Sequence, residues 1–212
     1  MTSKGAGAIT VLGTTSAEYS AALNTTITPP SGIQTGDLLL AFVGCGANGL
    51  TGLSTSSSGW TRQADAVSAS GNSCIALFSK VATGSDALVV TAGVSRAKTA
   101  IYYRIQNANT CVATAASGTP TGVFRFTPSS VSLPEAHVFT CLAAIGISSD
   151  TSVISQPSGY GALISKYASA SYTSTFVASR SGLTGITEGP GYWSLGSNSY
   201  KCATVTAAVY QS

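Results

Sequence analysis

The chain has 212 residues, 44% of them hydrophobic and only 8% charged, with a formal net charge of +3. A soluble domain usually carries roughly 25% charged residues, so a solvated surface here has to come from Ser, Thr, Asn and Gly. The ten Lys and Arg lie singly along the chain, which excludes a clustered nucleic-acid footprint, and the apolar content excludes a disordered chain.

Met1–Ala8 is a Gly/Ala arm without the apolar core of a secretion signal, and it reads as a flexible segment of a protein folded in a cytoplasm. Residues 9–212 read as one domain, since no linker divides them. Ile9–Leu12 is a short apolar run, and Leu23–Thr28 alternates before the Pro29-Pro30 break. Between them, Ser16–Leu23 is the best helix candidate, but it lacks a capping box, and no helix beyond about two turns is expected. Leu38–Val43 is continuously apolar, which fits a strand covered on both faces. Gly44–Gly59 reads as a long loop pinned by Trp60. Further strand signals follow at Cys74–Val81, Ala87–Thr91, Thr99–Ile105, Gly122–Thr127, Ala136–Ile147, Ala162–Tyr167, Tyr172–Ala178 and Ala203–Tyr210. Ala-rich Val112–Ser117 is too short for a stable helix. Gly182–Gly191 reads as a second long loop, leading into Tyr192-Trp193. About eleven strands bounded by turn residues give the rhythm of an all-β protein, a two-sheet antiparallel sandwich of jelly-roll type. No run approaches the ~18 apolar residues of a membrane helix, so no membrane partner is expected.

A weak internal echo runs through this order. Leu38–Val43 is followed by Ser58-Gly59-Trp60, and Val138–Ile147 by Pro157-Ser158-Gly159-Tyr160, each then by another apolar strand. Two related half-sandwiches would produce it, and so would two corners of similar design.

Pro29-Pro30-Ser31-Gly32-Ile33-Gln34-Thr35-Gly36-Asp37 leading into Leu38–Val43, the corner Ser58-Gly59-Trp60-Thr61, the strand ending Val81-Ala82-Thr83-Gly84 with Asp86 nearby, and Ala100–Gln106 together resemble a β-sandwich module of tailed-phage structural proteins. The resemblance covers about residues 27–106. It departs from the module in lacking the proline of the corner and the glycine after the last strand. It implies a place in a capsid decoration, head spike, tail or fibre protein, and it brings no catalytic residues.

Reacting groups are few. The single histidine, His137, lies two residues from Glu135, so both face one side of a strand. No GxSxG elbow accompanies them. The seven acids stand apart, and no pair is singled out for glycoside cleavage. Neither a calcium loop nor a phosphate-cradling loop is present. Cys45, Cys74, Cys111, Cys141 and Cys202 lack zinc-ligand spacing and read as buried thiols acting as small hydrophobes, with structural disulfides the alternative. No catalytic residue, cofactor or metal is therefore expected. Trp60, Tyr160, Tyr192, Trp193 and Tyr200 fall in or beside Gly/Ser-rich loops. Exposed, they would stack on a sugar or a neighbouring subunit; buried, they would plug the ends of the sandwich. Of these, Tyr192, Trp193, Tyr160 and Trp60 are the candidate partner or glycan contacts, and alternation sends one ring of Tyr192-Trp193 inward and the other outward.

The expectation is a non-enzymatic virion protein assembled in the host cytoplasm. It would dock on the major capsid protein or other virion proteins as a homo-oligomer, taken as a trimer, using its N-terminal arm. The alternative is a tail-tip or fibre adhesin binding a host glycan through its loop aromatics.

Overall fold

The computed structural model describes residues 7–46, 52–68, 71–84, 86–118, 124–148, 153–168, 173–196 and 202–212. These residues form an antiparallel β-sandwich without helix. Residues 1–6, most of the expected N-terminal arm, lie outside the described part, as does Tyr200.

The first half contributes β1 (Thr10–Ile27), β2 (Leu38–Gly46), β3 (Leu53–Thr55), β4 (Thr61–Val67), β5 (Ser73–Val81) and β6 (Leu88–Gln106). The second contributes β7 (Thr110–Gly118), β8 (Arg125–Phe126), β9 (Val131–Ile147), β10 (Val153–Ser155), β11 (Gly161–Ala168), β12 (Thr173–Glu188), β13 (Trp193–Leu195) and β14 (Cys202–Tyr210). One sheet has the order β1-β6-β2-β5-β4, with β3 paired to β6. The other runs β7-β14-β9-β12-β11, and a small third sheet runs β8-β13-β10.

The two large sheets share one plan. β7, β14, β9, β12 and β11 occupy the places of β1, β6, β2, β5 and β4. Pairing follows suit: Thr61↔Ser79, Ala64↔Leu77 and Ala66↔Ile75 recur a hundred positions on as Gly161↔Ser179, Ile164↔Val177 and Lys166↔Thr175, with a register shift at the same place. The small sheet completes the match. β8 and β13 pair as the end of β1 pairs with the start of β6, and β10 stands where β3 does. The internal echo is thus two units of one strand plan, each making one sheet.

Hydrophobic burial explains the packing. Between the sheets, Leu38, Leu40, Phe42, Ile75, Leu77, Ile101 and Tyr103 meet Leu142, Ala144, Val177, Val205 and Val209 in a core drawn from both units. The alternate residues of β2, from Leu39 to Cys45, face outward into a second core closed by Ile27, Leu53, Trp60, Leu88 and Val90. A third core mirrors it, with Cys141, Ala143 and Ile145 under Phe126, Leu133, Val153, Trp193 and Leu195. Both faces of β2 and β14 are therefore covered, which is why these strands read as apolar runs without strict alternation.

Two segments depart from the reading of the sequence. Gly182–Gly191 is not a loop up to Glu188; it continues β12. Its glycines sit at positive φ beside register shifts, Gly182 at 72° and Gly185 at 129°, so they supply bulges and not a turn between strands. Ser16–Leu23 is continuous β1, where pairing with β6 overrides local helix propensity. Within the expected loop Gly44–Gly59, Gly44–Gly46 belong to β2 and Leu53–Thr55 form β3, while residues 47–51 lie outside the described part.

Candidate functional site

Each unit builds a corner, where the chain turns into β4 in the first and β11 in the second. Ser57 O accepts from Trp60 N at 3.3 Å, and Pro157 O accepts from Tyr160 N at 3.1 Å. Gly59 and Gly159 occupy these turns with φ of 76° and 80°, a conformation that glycine adopts without a Cβ penalty. Behind each turn lies a cation from the next strand. Lys80 Nζ reaches Asp86 Oδ1 at 3.1 Å, and Arg180 Nη1 reaches Glu188 Oε1 at 3.3 Å. The first pair is nearly closed to solvent, whereas the Arg180 side chain is 45% exposed.

The corner aromatics serve this bracing. Trp60 is 7% exposed; its Nε1 donates to Ala87 O at 3.1 Å, and its ring meets Tyr102 edge-on at 5.7 Å. Tyr160 is 6% exposed, and its hydroxyl donates to Glu188 Oε1 at 3.0 Å. Burial raises the Tyr160 phenol well above its usual range, and the neighbouring Cys141 and Glu188 add to this. At Asp86, burial pushes the carboxyl up. Hydrogen bonds from Thr83 N and Gly84 N, together with the Lys80 ammonium, outweigh it and hold the group below the ordinary aspartate value. Asp37 is a second buried acid: it accepts from Gln34 N at 2.8 Å and pairs with Arg104, tying the turn before β2 to β6.

Of the four aromatic residues read as contacts, three are buried and unavailable to a ligand. Trp193, on β13 beside β8, is 0% exposed in the outer core, and Trp60 and Tyr160 plug the corners as described. Each was read as a loop aromatic because glycines flank it; Gly59 and Gly159 make tight turns beside the buried rings of Trp60 and Tyr160, while Trp193 begins β13. Tyr192 is the open one, at 41% exposure. Alternation thus sends Trp193 in and Tyr192 out. The guanidinium of Arg125 lies 4.0 Å from the Tyr192 ring centroid, and Phe124, beside Arg125, is also exposed. Arg125 did not stand out in the sequence, because its approach to Tyr192 depends on the pairing of β8 with β13.

His137 stacks on Tyr210 with ring centroids 4.1 Å apart, and its Nε2 lies 3.5 Å from Glu135 Oε1. It borders an open concavity of about 350 Å3 shared with Ala8, Asn107 and Val138. Ala8 O accepts from Asn107 Nδ2 at 2.9 Å, which ties the last residue of the expected arm to the body. Among the described residues no three of His, Cys, Asp and Glu converge as a metal site would need. No family model, curated protein or solved structure matches the chain. The cysteines are all buried and none is in a disulfide; burial alone lifts the Cys111 thiol to about 12.

Proposed function

We infer that the chain is a non-enzymatic structural protein of a tailed-phage particle, docking on the capsid as a homo-oligomer. The observation that carries this reading is where the charged groups go. Asp37 and Asp86 are buried against Arg104 and Lys80, Glu188 is largely covered beside a half-exposed Arg180, and Asp65 pairs with Arg62 nearer the surface, so each of these acids braces a turn or strand through a cation. A scaffold with a weakly charged exterior suits an assembled particle, where neighbours need not repel one another. The motif resemblance over residues 27–106 supplies the particle class.

The specific observation favouring an adhesin is the exposed Tyr192 with Arg125 against its ring, a surface on which a sugar ring can stack. Antibody–gold labelling of purified particles tests the choice. Label on the head supports the capsid reading, label confined to the tail favours the adhesin, and unlabelled particles overturn both.

A further inference from the structure

The matching registers of the two units supply an internal control for each residue of the sheet. One row crossing the first sheet reads Tyr19, Lys98, Cys45, Cys74, Val67, each paired with the next. The equivalent row of the second sheet reads Gly118, Cys202, Ile147, Ser174, Tyr167. The same strand plan therefore forms with Ile147 and Ser174 where the first unit has two cysteines, and with Cys202 where it has a lysine. Packing does not demand the Lys98–Cys45–Cys74 combination.

That combination has a chemistry of its own. Cys45 and Cys74 oppose one another directly on antiparallel β2 and β5. Opposed residues have Cα atoms about 4.5–5.5 Å apart, within the roughly 4.4–6.8 Å that a disulfide spans. Their thiols are hydrogen-bonded, with Cys74 donating to Cys45. Lys98 lies alongside Cys45, fully buried, its Nζ donating to Ala22 O at 2.6 Å and Arg96 O at 3.2 Å. Among the described residues no carboxylate pairs with this ammonium. Burial lowers the Lys98 pKa, and a thiolate at Cys45, its partner on β2, favours the charged ammonium. The hydrogen bond from Cys74 lowers the Cys45 pKa and outweighs burial, and Lys98 adds to the lowering; for Cys74 the same hydrogen bond and burial raise it. Lys98 pairs with Cys45 and not with Cys74 in the described registers, which marks Cys45 as the thiol to attack and Cys74 as the one to resolve.

We propose that Cys45 and Cys74 form a modification site at which a small-molecule disulfide closes a cross-strand disulfide. The Cys45 thiolate attacks one sulfur of the small disulfide, breaks its S–S bond and releases the first small thiolate. Cys74, giving up its proton, then attacks the Cys45 mixed disulfide and releases the second. The protein dithiol loses two electrons and two protons, and the small disulfide is reduced to two thiols. The pair sits at the ends of its strands, Cys45 one residue before the end of β2 and Cys74 one after the start of β5, where local opening is easiest. Cys111, Cys141 and Cys202 have no cysteine opposite them in any described register.

The test uses the full-length reduced chain held under native conditions with bis(2-hydroxyethyl) disulfide, then unfolded in an alkylating agent. The five thiols should fall to three, and peptide mass mapping should find Cys45 joined to Cys74. Five remaining thiols, or a link between any other pair, overturns the proposal. Cys74→Ser should trap a single hydroxyethyl adduct on Cys45, while Cys45→Ser should leave Cys74 unmodified. An adduct on Cys74 in the second variant overturns the order of the steps.

Discussion

Gly44→Ala adds one carbon at a close contact between the two sheets. A Cβ at Gly44 stands 2.1 Å from Thr175 Oγ1 of β12 and 3.1 Å from Thr99 Oγ1 of β6. Those two hydroxyls share a buried hydrogen bond of 2.7 Å, so Thr175 has to leave it to make room. Forced overpacking costs about 1–3 kcal/mol, and stranding buried hydroxyls about 1–3 kcal/mol. Replacing glycine within a strand returns about 0.5–1 kcal/mol. The net expectation is a loss of about 3 kcal/mol, seen in urea as a midpoint about 1–2 M lower at unchanged slope. Thr175→Ala alone should cost about 1–2 kcal/mol, because Thr99 loses its partner. Adding Gly44→Ala to it should cost little more, since the colliding oxygen is gone. Strict additivity of the two losses in this cycle refutes the packing of β2 on β12.

The two corners predict unequal costs for equivalent changes. Lys80→Met leaves Asp86 buried without its cation and should destabilise by about 3–5 kcal/mol. Arg180→Met removes a half-exposed partner and should cost about 1 kcal/mol or less in the same denaturation assay. Asp86 also sets an acid dependence: its folded pKa lies below the unfolded value, so its contribution is full above about pH 4 and fades as pH falls through the folded pKa. Stability measured against pH should therefore show a shallower acid limb in Asp86→Asn. Tyr192→Ala should leave stability within about 0.5 kcal/mol, whereas Trp193→Ala should cost about 3–5 kcal/mol. On the adhesin reading, Tyr192→Ala alone of these two abolishes glycan retention in a binding assay without unfolding the chain.

Much of the fold is legible along the chain because burial on two faces leaves an unmistakable run, as in Leu38–Val43. The pairing of strands was legible only in part. Gly59 and Gly159 marked the echo, but Thr61↔Ser79 and Gly161↔Ser179 had to be seen as ladders before two full units emerged. Glycine misled at Gly182 and Gly185, where it makes bulges within β12. Trp60 and Tyr160 were placed correctly at turns, but whether the loop aromatics were exposed contacts or buried plugs stayed open along the chain, and the structure buries Trp60, Tyr160 and Trp193. Nothing local distinguishes a ring turned over a core from one turned to solvent. The Lys80–Asp86 and Arg180–Glu188 braces did carry a faint signal, a cation about twenty residues after each Gly-aromatic corner and an acid shortly beyond. Lys98 beside Cys45 carried none, because their meeting depends on the register of β2 with β6.

The account rests on two units closing a single core, and the two tryptophans report on one unit each. In the single-tryptophan variants Trp193→Phe and Trp60→Phe, urea unfolding is followed by the fluorescence of the remaining indole and by far-ultraviolet circular dichroism. Shared residues in the central core predict coincident transitions by both probes in both variants. A plateau between the fluorescence and dichroism transitions, with one unit melting while the other stands, contradicts the shared core.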